Sequence, residues 1–177
     1  MLIIYLFTNE RGGKRMKNNK GITLIALVVT IIVLLILAGV SIAMLTGDNG
    51  ILGRAKEAST QTAVTNARDE ISMKVSECVT EYFAVHYAGA NNSTYNTTTY
   101  TGANAIDQYI LAELKKLNLK DVNVKVGTSD LASATAPNDS TGADLIITST
   151  NDSSVFVKTK WSVGGKLSQW DNSHLTK

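Results

Sequence analysis

The sequence predicts an α+β fold in which a long N-terminal α-helix packs against a small antiparallel β-sheet head. Three observations lead to this prediction. An uncharged apolar run extends from Ile22 to Leu45. Apolar residues then recur every three or four positions from Ile51 to about Tyr87, the spacing of an amphipathic helix. From Val122 onward, apolar and polar residues alternate as in half-buried strands.

The first half of the long helix is expected to span a membrane. Of the 24 residues from Ile22 to Leu45, 20 are apolar and none is charged. As a helix this run would be about 36 Å long, enough to cross a hydrocarbon core of about 30 Å. A secretory signal peptide is the closest alternative, but its apolar region usually has only about 7 to 15 residues. Lysines and arginines crowd the N-terminal flank, so the N-terminus is expected in the cytoplasm and the head outside.

The chain length of 177 residues allows one modest domain beside this segment. We therefore divide the chain into a leader, a transmembrane and assembly helix, an amphipathic helix and an α+β head, at residues 1–21, 22–46, 47–88 and 89–177.

The first residues fit the leader poorly, because Met1 to Phe7 is an apolar run too short to span a membrane. Arg11-Gly12-Gly13 can be encoded by a purine run like a bacterial ribosome-binding site. We expect translation to start at Met16, the alternative being a longer leader without structural consequence.

The charge distribution predicts no nucleic-acid partner. Five of the 17 basic residues and one of the 15 acidic residues precede Ile22. The remaining 12 basic and 14 acidic residues form no lysine or arginine stripe, which is the usual electrostatic footprint of nucleic-acid binding.

No residue pattern indicates an enzyme, a cofactor or a metal site. Cys78 is the only cysteine, so an internal disulfide or a cysteine cluster is excluded. The two histidines have no partners at a zinc-site spacing, and the sequence has no nucleophile elbow, paired-carboxylate motif or phosphate loop. Cys78 and His86 both lie on the apolar stripe of the second helix, and we interpret them as packing residues.

The head is expected to begin where the amphipathic helix ends. Gly47 to Gly50 is a turn-prone cluster that is expected to interrupt or kink the helix. Gly89 to Thr101 reads as a polar loop, and its part at 91–101 is expected to face solvent or a binding target. A short helix is expected from Asn104 to Leu119. Because an apolar sheet face needs a cover, the helix of residues 51–87 is expected to pack on the sheet.

The sheet itself is expected to be a meander of three or four antiparallel strands. The predicted strands are 122–126, 144–150, 155–163 and 166–170, with a four-residue hairpin connection at 151–154 and a loop at 128–142.

At the start of the apolar run, Lys20-Gly21-Ile22-Thr23-Leu24-Ile25-Ala26 closely resembles the junction of type IV prepilins. That family has a short basic leader ending in Gly, then a hydrophobic residue, Thr-Leu-Ile-Glu and a hydrophobic helix. The resemblance covers about Met16 to Ala58. It implies a pilin-like fold and cleavage by a prepilin peptidase between Gly21 and Ile22, with Ile22 becoming an N-methylated first residue. Thr23, Leu24 and Ile25 match the family pattern directly.

One residue departs from the family pattern, since Ala26 stands where the family usually carries Glu. In the family this carboxylate is thought to meet the N-terminal amine of a neighbouring subunit and to set its axial register. A lone Glu in a membrane costs roughly a few kcal/mol, and pairing removes much of that cost, so Ala26 removes this drive toward assembly. Gly39 and Ala43, spaced as small-xxx-small, would still allow close approach of neighbouring helices.

The resemblance implies a structural subunit, a major or minor pilin or a pseudopilin, of a type IV pilus or of a filament like those of type II secretion or DNA uptake. Its expected partners are the prepilin peptidase, other pilin subunits and the membrane. The alternative is an unprocessed, single-pass, signal-anchored cell-surface protein, which Ala26 favours.

Overall fold

The computed structural model describes residues 20–46, 50–89, 94–138 and 141–175, with side chains from Leu24 onward. The chain divides into two compact units, one ending at Ile51 and one running from Leu52 to Lys177. Residues 1–19 of the leader, which include the expected start at Met16, and most of the Gly47 to Gly50 turn lie outside the described residues. The fold is α+β, with helices and a small antiparallel sheet.

Helix α1 spans Lys20–Thr46 and contains 27 residues. The predicted helix of residues 22–46 ends where α1 ends. Isoleucine and valine are common in α1, although their branched side chains lower helix propensity in water. A helix nevertheless suits an apolar surrounding, because it satisfies its backbone hydrogen-bonding groups internally.

Helix α2 spans Ile51–Ala88, which confirms the predicted amphipathic helix of 51 to about 87. It ends at Gly89, whose φ of +63° is the left-handed conformation typical of a residue that terminates a helix. The side chains that α2 buries recur every three or four positions, as the periodicity predicted; they are Thr60, Val64, Ala67, Ile71, Val75 and Cys78.

Helix α3 spans Ala105–Leu114 and is shorter than the predicted 104–119. After Leu114 the backbone makes tighter turns, in which Lys116 N donates to Glu113 O and Leu117 N donates to Leu114 O. Seven of the ten residues of α3 are buried. The expectation that α2 alone covers the sheet was therefore incomplete, because α3 supplies as much of the core.

The sheet has five antiparallel strands in the order β2-β1-β3-β4-β5. In chain order they are β1 (Val122–Val126), β2 (Ser129–Asp130), β3 (Ala143–Ser149), β4 (Phe156–Ser162) and β5 (Lys166–Leu167). β1, β3, β4 and β5 form the predicted meander, but β2 folds back on the outer edge of β1 inside the predicted loop 128–142. The hairpin connection between β3 and β4 is 150–155 rather than 151–154, and β5 stops short of the predicted Trp170.

Buried and exposed side chains alternate along the strands, so one face of the sheet is directed toward the core. Val122, Val124 and Val126 of β1 are buried while Asn123 and Lys125 are exposed. One core joins α2, α3 and the sheet, and its fully buried larger side chains include Trp161, Tyr109, Ile71, Ile110, Leu114, Leu145 and Ile147.

The C-terminal residues tie β4 to α2. Trp170 Nε1 donates to Ser72 Oγ at 3.0 Å, and an Arg68 guanidinium nitrogen donates to Asn172 Oδ1 at 3.1 Å. Lys158 and Asp171 form an isolated antiparallel bridge, so the residues after β5 lie beside β4. The described residues after β5 therefore link α2 to β4.

Candidate functional site: the apolar helix and its junction

Helix α1 exposes almost nothing but hydrocarbon. Every described side chain from Leu24 to Thr46 is exposed, with exposed fractions of 44% at Leu45 to 71% at Met44 among the large apolar residues. Within the described part of the chain, one helical stretch is long and apolar enough to cross a membrane, and α1 supplies its apolar residues. An exposed apolar surface of this extent requires a cover of lipid or protein.

The polar side chains of α1 do not interrupt that surface. The hydroxyl of Thr30 donates to Leu27 O at 2.8 Å, that of Ser41 to Leu37 O at 2.7 Å, and that of Thr46 to Ile42 O at 2.9 Å. Each hydroxyl therefore donates its hydrogen bond within its own helix and needs no acceptor from a surrounding apolar phase.

The predicted processing junction falls among the first described residues of α1. The bond between Gly21 and Ile22 follows directly on Lys20, the first helical residue that the structure describes. The side chains of Ile22 and Thr23 lie outside the described residues, so cleavage and methylation stay predictions.

The residues expected to act in assembly lie on the exposed surface of α1 as far as they are described. Leu24 and Ile25 are 63% and 65% exposed, and Ala26 is also exposed. Gly39 and Ala43 lie one helical turn apart. A Cβ at Gly39 would meet nothing within 4 Å, so this chain alone gives no steric reason for a glycine there. A neighbouring helix would give one.

The chemically reactive side chains of the head are held in packing roles. Cys78 is 1% exposed, and burial raises the pKa of its thiol to about 12. The imidazole of His86 is exposed and stacks on the ring of Tyr82, with the ring centroids 4.4 Å apart. Within the described ranges no group of three or more potential metal ligands lies together.

Two carboxylates that the sequence did not single out lie at structural junctions of the head. The buried carboxylate of Asp107 accepts hydrogen bonds from Trp161 Nε1 at 2.8 Å, from Gly164 N at 2.8 Å and from Gly165 N at 2.9 Å. It thereby joins α3 to the turn between β4 and β5. A lone Asp in an otherwise apolar helix face was the only available signal for this role.

Glu81 forms the second junction, between α2, α3 and the polar loop. Its carboxylate accepts hydrogen bonds from the hydroxyls of Tyr109 and Thr94. Burial opposes ionisation of Glu81, but these hydrogen bonds outweigh burial and hold its pKa below the ordinary value. Burial, together with the hydrogen bond to Glu81, raises the pKa of Tyr109.

The polar loop of residues 89–101 faces solvent only in part. Tyr95 is 5% exposed and packs edge-on against Tyr109, whereas Asn96 to Thr99 are exposed. The described Tyr95 and Tyr100 pack against the head core, so they are not part of the expected recognition surface. Residues 90–93 lie outside the described residues, and recognition by this loop stays a prediction.

Comparisons with protein-family models, with curated proteins and with solved structures find no match to this chain.

Proposed function

We propose that this chain is a structural subunit, a pilin or pseudopilin, of a type IV pilus or a related filament. The observation that carries the proposal is the Gly21-Ile22-Thr23-Leu24-Ile25 junction at the start of an apolar run that has no charged residue and whose described side chains are all exposed. A membrane anchor requires the helix but has no need of the junction.

The exposed surface of α1 supports this role physically. Lipid covers such a helix before assembly, and a bundle of like helices covers it afterward. Lipid already satisfies apolar side chains, so the gain on leaving it comes mainly from close packing between helices. Gly39 and Ala43, small and exposed on α1, permit that approach.

The proposed mechanism is mechanical and involves no chemistry in the head. A prepilin peptidase cleaves between Gly21 and Ile22, at the boundary between the basic leader and the apolar run. The freed helix moves from lipid into the bundle, and the head of residues 52–177 stays on the outside of the filament.

A signal-anchored surface protein is the second candidate, and Ala26 favours it. Without a carboxylate, α1 has no charged group that would gain from leaving the membrane. Such a protein would keep its leader and never polymerise.

The mass of the mature chain in sheared surface material decides between the two. We expect a chain that starts at Ile22 and carries one added methyl group. An intact mass equal to the unprocessed precursor, found only in the membrane fraction, would establish the anchor instead.

Substitution of Gly21 tests the processing step. Gly21→Val should block cleavage, because a branched side chain replaces hydrogen at the residue next to the cut bond. Gly39→Ala is the matched control and should still be cleaved, since it lies well inside α1. Continued cleavage of Gly21→Val at the same bond would contradict the assigned peptidase.

Substitution of Ala26 tests the departure from the family pattern. Ala26→Glu should preserve or increase the amount of chain in filaments, because the new carboxylate gains a partner there. Reduced membrane insertion without any gain in assembly would show that another contact sets the register in this chain.

A further inference from the structure

The start of α2 has little cover within the head. The stripe that α2 buries begins at Thr60, whereas Leu52, Arg54, Ala55, Lys56 and Ala58 are exposed and Gly53 and Glu57 are half-buried. We call residues 52–58 the overhang. At about 1.5 Å per residue it extends roughly 10 Å beyond the part of α2 that the head packs on.

Most charges of α2 already have partners within the head. Arg68 pairs with Asp69 at 2.8 Å, and Lys74 pairs with Glu77 at 2.6 Å. Among the described residues, three charged side chains of α2 take part in none of the ion pairs or side-chain hydrogen bonds that the structure shows: Arg54, Lys56 and Glu70. Two are basic and lie in the overhang, while the third is acidic and lies four turns further on.

Glu70 lies at a groove beside α2. The groove has a volume of about 440 Å³, and the connection of 118–121 between α3 and β1 forms its other wall. Apart from Glu70, the α2 wall consists of short side chains, which would let another helix approach closely; they are Ser59, Thr62, Ala63, Asn66 and Ala67. The charged residues of the groove are Glu70, Asp121 and Lys120, so it is acidic by one charge.

Arg54 and Glu70 point in nearly opposite directions from α2. They are 16 residues apart, which corresponds to roughly 160° around the helix and roughly 24 Å along it. Residues so placed cannot pair within one helix. Two copies lying side by side with an axial offset can pair Arg54 of the first with Glu70 of the second. The first copy then keeps an unused Glu70 and the second an unused Arg54, each free to pair with a further copy. A contact of this kind between different faces continues into a filament when it does not close into a ring.

We propose that the overhang of one copy lies in this groove of a second copy, with Arg54 of the first paired to Glu70 of the second. The inference rests on the proposed filament function and adds a contact to it. Arg54 shares its side of the overhang with Ala58, whose small side chain lets the helix approach the groove wall. The contact sets an axial offset between copies, which the uncharged α1 with Ala26 cannot do by charge.

Charge reversal tests the pair. Arg54→Glu and Glu70→Arg should each lower the amount of the chain in sheared filaments by roughly tenfold, because each places like charges together. The double variant should restore it. Lys56→Glu is the matched control, since it makes the same charge change two residues away on the face that Glu70 itself occupies, and it should leave the filament amount unchanged.

Cross-linking tests the geometry. In a chain carrying Arg54→Cys and Glu70→Cys, oxidation of filaments should give a ladder of disulfide-linked multimers, whereas a mixture of the two single variants should give dimers only. Lys56→Cys with Glu70→Cys should give no ladder. Cys78 does not interfere, because it is buried with a raised thiol pKa.

The outcomes separate this inference from the proposed function. If the wild-type chain forms filaments but charge reversal has no effect, or the double variant is not restored, the inference is wrong and the function stands. A cross-link to a chain of a different mass would overturn the choice of a second copy as the partner. If the wild-type chain never enters filaments, both the function and the inference fail.

Discussion

Removing the carboxylate of Asp107 should destabilise the head more than any other polar substitution in it. Asp107→Ala leaves three donors without an acceptor: the buried Trp161 Nε1 and Gly165 N, and the half-buried Gly164 N. An unsatisfied buried donor costs about 1 to 3 kcal/mol, so we expect a loss of about 4 kcal/mol in the free energy of unfolding. Urea unfolding of a fragment comprising residues 52–177 measures this loss.

Two further variants make the test specific. Asp107→Asn keeps one oxygen for Trp161 and Gly165 but turns an amide group toward Gly164 N, so it should cost about 2 kcal/mol. Asp69→Ala removes an exposed acid and should change the free energy by less than about 0.5 kcal/mol. The reasoning is refuted if Asp107→Ala costs less than about 1 kcal/mol, because the three donors would then have found other acceptors.

Three further predictions concern the head. Gly142→Ala would place Cβ 2.4 Å from the carbonyl oxygen of Trp161 and should lower the free energy of unfolding by more than about 3 kcal/mol. Gly127→Ala has a similar positive φ but open space around its Cβ, so it should lower the free energy by about 1 kcal/mol in the same assay. Cys78, whose thiol pKa is about 12, should resist iodoacetamide at pH 8 in the folded head and react once it is unfolded, as mass spectrometry would show; rapid native labelling would contradict its burial. The pKa of Glu81 is lower in the folded state than in the unfolded state, so its stabilising effect is complete above the unfolded pKa and is lost as pH falls through the folded one. Glu81→Gln should therefore reduce the loss of unfolding free energy at acid pH. If the free energy of unfolding depends on pH in the same way in this variant as in the wild type, the stabilising role of Glu81 is refuted.

Periodicity located the elements that a single local pattern defines. Two spacings predicted their elements correctly: the apolar stripe from Val64 to Cys78 predicted α2, and the alternation of Val122, Val124 and Val126 predicted β1. This works because an element that buries one face carries apolar residues at the period of that element. β2 was missed since Ser129-Asp130 has no apolar pattern. It exists because the chain folds back on β1 after Gly127, whose φ is +62°.

The sequence predicted the candidate site only where its residues are contiguous in the chain. The junction from Gly21 to Ile25 is contiguous and needs no fold to be recognised. The pairing of Asp107 with Trp161 joins residues 54 positions apart, and the overhang emerges only once the buried stripe of α2 is known to begin at Thr60. Such features depend on tertiary packing, which single-sequence patterns do not encode.

The bonds between the C-terminal residues and α2 determine how the head carries a load. Trp170 is held to Ser72 and Asn172 to Arg68, so tension entering along α2 reaches β4 by way of the tail as well as through the core. The two routes act in parallel, so a pull along α2 is shared between the tail and the core. A head built in this way resists such a pull by shear of many contacts at once.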